Sequence, residues 1–213
     1  MFITLEGPEG SGKTSKIPPL ADFIRQKGYK VLATREPGGT AIGDQVRAIL
    51  TDLANTHMTP RAEVLLFQAA RAQLVEQVIR PALQAGEVVI CDRYADSTLA
   101  YQGYGQGGDL EQIASLVHFA TGGLKPDLTL LLDLEVEEGL RRKQINGVEW
   151  NRLDAYALAY HQRVRQGYLE LAQKEPERWV IVDASQPPDA VQSNLCQIVA
   201  ERLAVKNGSS RGS

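Results

Sequence analysis

The chain has 213 residues, 43% of them hydrophobic and 23% charged, with a net charge of -3. That length holds one domain with a sizeable core, and the composition is ordinary for a soluble globular protein. The slight acidity argues against a surface built to coat nucleic acid, no run is apolar enough to span a membrane, and no signal-peptide pattern is visible. Cys91 in "VVICD" and Cys196 in an amphipathic stretch read as small hydrophobes rather than a disulfide or metal pair. His57, His118 and His161 lack zinc-ligand spacing. A cytoplasmic protein with no metal cluster of its own is expected.

The first expected strand, "FITLE" (2–6), is continuously apolar, which suits burial on both faces. It runs into "GPEGSGKT" (7–14), which fits G-x-x-x-x-G-K-[ST] between a strand and a helix. Glycines let backbone N–H groups converge on phosphates, and the helix N-terminus adds partial positive charge. Lys13 brings a point charge to the β- and γ-phosphates, and the Thr14 hydroxyl can ligate Mg2+. The phosphate-binding set is therefore Gly7, Pro8, Glu9, Gly10, Ser11, Gly12, Lys13 and Thr14. A glycine-rich turn with an exposed lysine is the plain alternative. The helix expected over 13–27 contains Pro18 and Pro19, beyond the first turn, where donors are already needed. A kink or a late helix start is expected there.

The second strand, "KVLATRE" (30–36), leads to Arg35-Glu36-Pro37-Gly38-Gly39, and a helix is expected over 41–53. A long helix over 60–85 puts Phe67 and Arg71 at i, i+4, a spacing at which an aromatic more often serves a core. The third strand, "VVICD" (88–92), ends in Asp92 and Arg93. Ser97 and Thr98 then lie one helical turn from Tyr101 and Gln102, so the pairs can share a face. A solvated strand-to-helix connection would also account for that segment. A helix (109–121), a strand "LTLLLDL" (128–134), helices (135–146 and 152–174), a strand "WVIVDA" (179–184) and a helix (188–205) follow. Residues 206–213 have the composition of a disordered tail, leaving one domain over 1–205.

The βαβ alternation implies an α/β fold with a parallel sheet covered by helices on both faces. Ligands of such sheets bind outside the carboxyl ends of the strands, where Glu6, Arg35, Asp92, Asp133 and Asp183 stand.

Five stretches together narrow the reading: "EGPEGSGKT" (6–14), "TREPGGT" (34–40), "EVLLFQAARAQLVEQVIRPAL" (63–83), "VICDRYADSTLAYQG" (89–103) and "KPDLTLLLDLEVEEGLRR" (125–142). In this order they resemble the thymidylate kinase family, over most of residues 2–172. "REPGGT" together with "DRY..S..AYQG" discriminates far better than the phosphate loop, which other nucleotide kinases share. The resemblance implies a P-loop NTPase fold of five parallel strands in order 2-3-1-4-5, a lid, and a homodimer packed through helices. It implies Mg-ATP as donor, dTMP as acceptor, and dTDP as product for dTTP synthesis. It also implies roles: Phe67 stacked on thymine, Arg71 hydrogen-bonded to the base, and Thr98 and Gln102 at its edge, with Ser97 beside them. Tyr101 would sit beneath the deoxyribose, disfavouring a 2′-hydroxyl. Arg35 and Arg93 would hold the dTMP phosphate, and Glu9 would face the acceptor. These residue types suit stacking and forked phosphate contacts. Asp92 is expected near the magnesium ion without binding it directly.

An in-line transfer to an already anionic phosphate needs positioning and charge stabilisation rather than a strong base. Lys13 and Arg93 contribute, but the loop positions Pro8, Glu9, Gly10 and Ser11 offer no further cation. The resemblance then points to a lid, "GLRRKQINGVEWNRLD" (139–154), whose basic residues are Arg141, Arg142, Lys143 and Arg152. The family's lid commonly reads Asp-Arg-x-Glu, whereas this chain has Asn151-Arg152-Leu153-Asp154. Arg152 and Arg142 are the expected catalytic cations. The segment "DASQPPDAV" (183–191) could line an adenine site or be a plain loop.

Overall fold

A computed structural model describes residues 1–145 and 151–209. Strands β1 (Phe2–Glu6), β2 (Val31–Arg35), β3 (Val88–Asp92), β4 (Leu128–Asp133) and β5 (Trp179–Asp183) form one parallel sheet in the order β2-β3-β1-β4-β5. This is the expected P-loop NTPase sheet. Alternate residues face opposite layers, and both layers are apolar, which explains the continuous hydrophobic runs. Ile3, Leu5, Ile90 and Leu130 pack against α1 (Lys13–Gln26) and α9 (Pro188–Ser209). Phe2, Val89 and Cys91 pack against Leu74, Val75 and Ile79 on the other face. Leu131 and Trp179 meet Val164 and Tyr168 of α8 (Leu158–Lys174) on that same side. Each fully buried leucine contributes about 2 kcal/mol of apolar transfer.

Parallel register aligns the strand ends. Arg35 pairs with Asp92, Leu5 with Asp92, and Asp133 with Asp183. One edge of the sheet therefore gathers the polar residues that follow every strand.

Helix α1 starts at Lys13 and runs through both prolines, so the late start expected from them does not occur. Pro18 and Pro19 cannot bond to the carbonyls of Thr14 and Ser15, but all four residues are exposed, so water reaches those oxygens. Helix α2 (Ala41–Thr51) is capped by Thr40, whose hydroxyl accepts from the Gly43 amide. The long helix has three parts: α3 (Pro60–Leu74), a π segment (Val75–Ile79) and α4 (Arg80–Gln84). After β3 come α5 (Ala95–Thr98) and a second π segment (Leu99–Gly105), then α6 (Leu110–Thr121), capped by Asp109 and Gly122.

Helix α7 (Val136–Ile145) follows β4, and the helix expected over 152–174 is broken. Arg152–Ala155 form a 3-10 turn capped by Asn151 and Asp154, and Ala157 is extended before α8. The Tyr156 ring stacks on Tyr160 at 4.2 Å, which anchors the break. The centre of the expected lid, 146–150, lies outside the described residues. Helix α9 continues to Ser209, into the stretch expected as a tail, and residues 210–213 lie outside the described ones.

The first turn of α7 rests directly on the phosphate loop. A Cβ built at Gly139 would lie 2.2 Å from the Glu9 carbonyl oxygen, and one at Gly10 would meet the Gly139 backbone. Neither neighbour is a flexible side chain, so the two backbones approach only because both positions are glycine. We expect Gly139→Ala to push α7 off the loop and cost about 1–3 kcal/mol in urea unfolding. An unchanged urea midpoint with unchanged turnover would mean that the two backbones are not held this closely.

Candidate active site

A cleft of about 790 Å3 opens along the carboxyl edge of the sheet, bounded by the phosphate loop, α2, α3 and α7. On the loop side, Gly7, Gly10 and Gly12 take positive φ, and α1 begins without a side-chain cap, leaving its first amides free for an anion. The buried Lys13 ammonium donates to the Gly7 and Pro8 carbonyls at 2.9 and 2.8 Å and to Ser11 Oγ at 3.1 Å. Burial, reinforced by Arg93, pulls its pKa down to about 8. Ser11 Oγ in turn donates to the Pro8 carbonyl. The Thr14 hydroxyl donates to Asp92 Oδ2. A hydroxyl and a carboxylate oxygen beside the loop are hard donors of the kind Mg2+ takes. No cluster of three His, Cys, Asp or Glu that could hold a metal occurs among the described residues, so the remaining ligands would come from nucleotide phosphates and water.

Arg93 links this loop to the rest of the cleft. It donates to the Gly7 carbonyl at 3.0 Å, to Glu9 Oε1 at 2.8 Å and to Tyr168 at 3.1 Å, and lies 4.9 Å over the Tyr101 ring. Tyr101 also donates to Glu9 Oε1 at 2.8 Å. Burial alone would raise the Glu9 pKa, but Arg93, Lys13 and Lys143 outweigh it and bring it to about 2. Arg35, half exposed, makes a 3.2 Å pair with Asp44 and faces the same cleft. Arg47 on α2 stands with them, donating to the Pro37 carbonyl at 3.1 Å. Burial and the neighbouring Arg35 lower its pKa. Three arginines thus converge where the sequence singled out two. Gly43, Arg47 and Leu50 share the inner face of α2, and that periodicity was the available signal.

Phe67, Arg71, Thr98 and Gln102 line the far end as expected. Arg71 is fully buried, and its donors reach Glu36, Gln68 Oε1, Thr98 Oγ1 and the Tyr94 carbonyl. Its five N–H groups all have protein partners, so its first role is to fix the wall that carries Thr98. Glu36 Oε1 is buried beside it without a hydrogen bond among the described residues. Ser97 also lines the cleft but turns its hydroxyl toward Glu6, donating to Oε2 at 2.6 Å and sharing a 2.7 Å bond with the Tyr168 hydroxyl.

The expected lid cations separate. Arg142 lines the cleft, donating to Glu138 at 2.7 Å and to the Ala184 carbonyl at 2.9 Å. Lys143 also lines it, paired with Asp154. Arg152 does not line the cleft. Its guanidinium pairs with the buried Glu63 and donates to the Leu50 carbonyl at 2.9 Å. Glu63 also accepts from Gln102 at 2.8 Å and Gln106 at 2.6 Å, so it joins the 3-10 turn to the cleft wall. The partners of Glu63 come from two separate stretches of chain, 102–106 and 152–156, which no local spacing reveals.

The thymidylate kinase family model matches residues 5–195. The thymidylate kinase of Roseiflexus sp. strain RS-1 is 51% identical, covering 96% of this chain and 95% of that protein. That of Desulfovibrio desulfuricans is 53% identical over 90% of this chain and 91% of its own length. The crystal structure of thymidylate kinase from Ehrlichia chaffeensis superposes with a TM-score of 0.75 at 32% identity, covering 94% and 98% of the two chains.

Glu6, at the end of β1, is fully buried under Arg93 and accepts from the Tyr94 amide, Ser97 and Tyr168. Burial, with Asp96 nearby, raises its pKa from 4.5 to about 7. Across that window the unfolded chain has released the proton and the folded chain has not, so stability falls as pH rises. The full effect is roughly 3 kcal/mol by linkage. In Glu6→Gln the urea midpoint should lose this decline between pH 4.5 and 7. Identical slopes in both proteins would assign the decline to another group.

Proposed function

The chain belongs to the thymidylate kinase family, and we propose that it transfers the γ-phosphoryl group of ATP to the phosphate of dTMP, giving dTDP and ADP. The observation that carries the reading is Arg93, bonded at once to the phosphate loop through Gly7 and to the acceptor side through Glu9 and Tyr101. A donor phosphate on the loop and an acceptor phosphate beside Arg93 would meet head to head, the arrangement in-line transfer requires.

In this reading the loop amides and Lys13 hold the donor phosphates. Arg93, Arg35 and Arg47 bind the acceptor phosphate and reduce the repulsion between two anions. Phe67 offers its ring to thymine, while Thr98 and Gln102 sit at the base edge, aligned by Arg71 and Glu63. The Tyr101 ring, fixed by its bond to Glu9, would sit beneath the deoxyribose and disfavour a 2′-hydroxyl. Thr14 would ligate Mg2+ and Asp92 would orient its water shell; the ion neutralises the charge that builds on the phosphates. Arg142, bonded to the Ala184 carbonyl, ties α7 to the 183–191 segment, which we assign to the adenine side. The two free cysteines agree with a reducing cytoplasm, where both nucleotides are available.

We assign a homodimer contact to the layer of α2, α3 and α6, where Leu65, Leu116 and Phe119 are exposed, Phe119 at 86%. Phe119→Asp should shift sedimentation from dimer toward monomer at micromolar concentration, and a wild-type monomer would remove the assignment.

ADP release from Mg-ATP should be fast with dTMP, slower with dUMP and absent with thymidine, which lacks the phosphate that the three arginines would bind. Equal slow ATP loss with all three, and with no acceptor, would sink the reading.

A further inference from the structure

We propose that Glu6, the last residue of β1, works as a neutral carboxylic acid whose proton closes a hydrogen-bonded ring under Arg93, and so positions that guanidinium for the acceptor phosphate. The inference rests on the dTMP kinase reading and adds a positioning residue to it. Glu6 does not line the cleft and acts only through Arg93.

A count of hydrogens carries the assignment. Glu6 Oε2, Ser97 Oγ and the Tyr168 hydroxyl oxygen form a triangle with sides of 2.6, 2.7 and 3.0 Å. Each side is a hydrogen-bond distance, so the triangle needs three hydrogens. Ser97 and Tyr168 bring one each, and an ionised carboxylate brings none. Two hydrogens fill two sides and leave bare lone pairs facing each other across the third. Arg93 Nη1 donates to Ser97 Oγ at 3.4 Å and to the Tyr168 oxygen at 3.1 Å, which occupies lone pairs but puts no hydrogen along a side. The Tyr94 amide takes the other carboxyl oxygen, Oε1, at 2.8 Å. A proton on Oε2 is the missing hydrogen, and it closes the ring in either sense.

The surroundings agree. The charged and titratable groups that face Glu6 are Lys13 from α1, Arg71 from α3, Cys91 from β3, Arg93 from the turn after it, Asp96 from α5 and Tyr168 from α8. Thr14 and Asp92, on the magnesium side, bond to each other instead. Burial, with Asp96, outweighs Ser97 and Arg93 and keeps the acid form up to a pH of about 7. Loss of the proton opens the ring and parts the two oxygens on which Arg93 rests. It also leaves a carboxylate beneath Arg93, which competes with the acceptor phosphate for the guanidinium and repels it. Only the protonated enzyme then presents Arg93 to dTMP, and bound dTMP retains the proton by the same linkage. Glu6 passes no proton to either nucleotide.

The test follows KM for dTMP at saturating ATP in wild type and Glu6→Gln, whose amide is a permanent donor in the same place. The wild-type to variant ratio cancels the ionisation of the dTMP phosphate and of Lys13. That ratio should rise about tenfold between about pH 6 and about pH 8, while the two kcat values keep a constant ratio. A KM ratio that stays flat, whatever its absolute value, would overturn the proposal, because a purely structural role moves KM equally at every pH. A neutron structure of the unsubstituted protein at about pH 6 answers without any variant. Deuterium on Glu6 Oε2 supports the assignment, and a bare carboxylate defeats it. Wild-type protein that turns over no dTMP would instead remove the functional reading beneath, and the neutron map would still decide the proton.

Discussion

Arg93 adopts a left-handed backbone, φ 66°, which a residue with a side chain takes at a cost of about 1–2 kcal/mol. Its amide still closes the sheet, bonding to the Leu5 carbonyl at 3.0 Å, and the chain then turns sharply. The turn sends the guanidinium back over the phosphate loop instead of outward from the strand. From there it meets Gly7, Glu9, Ser97, Tyr101 and Tyr168, which come from three different parts of the chain. Without this one residue, the loop on β1 and the wall on α5 and the second π segment would share few polar contacts. Glu6 lies beneath as a buried carboxyl that accepts from the Tyr94 amide, Ser97 and Tyr168, so the strained turn rests on a satisfied network.

Counting donors sorts the cations of the cleft by purpose. Arg71 spends all five on Glu36, Gln68, Thr98 and Tyr94, and so behaves as a rigid internal brace. Arg35 and Arg47 each make one side-chain hydrogen bond in the described network and face the cleft, so they have forked capacity left for a phosphate. A buried guanidinium that is fully bonded cannot take a new anion without breaking a bond whose acceptor would be stranded. Cleft-facing cations with spare donors can bind at no such cost.

The strands were readable because parallel strands buried on both faces leave unbroken apolar runs, and "FITLE", "VVICD" and "LTLLLDL" became β1, β3 and β4 within a residue. The phosphate loop was readable because its chemistry is local. What local pattern missed depends on tertiary contact. The two prolines looked disruptive, yet they occupy the wet side of α1, which only the packing of Ile17, Leu20 and Ile24 inward determines. Leu99–Gly105 widened into a π segment where Gly105 lets Tyr160 and Val164 approach. Arg152 looked like a lid cation by its place in the sequence, but its partner Glu63 lies 89 residues away. Arg47 had the right helical face, yet nothing nearby marked that face as lining a cleft.

The glycine contact between the phosphate loop and α7 fixes where the side chains of that helix stand over the cleft. A charge on a freely moving segment must be ordered at each encounter, with a loss of side-chain and backbone entropy of about 1–2 kcal/mol per residue. Here Gly139 sits against the Glu9 carbonyl and Gly10 against Gly139, so the first turn of α7 is registered to the loop backbone itself. Lys143 inherits that registration through one helical turn, and Asp154 confines its free end. The Glu9 carboxylate accepts from both Arg93 and Tyr101, so the loop that α7 rests on also orders the opposite wall of the cleft.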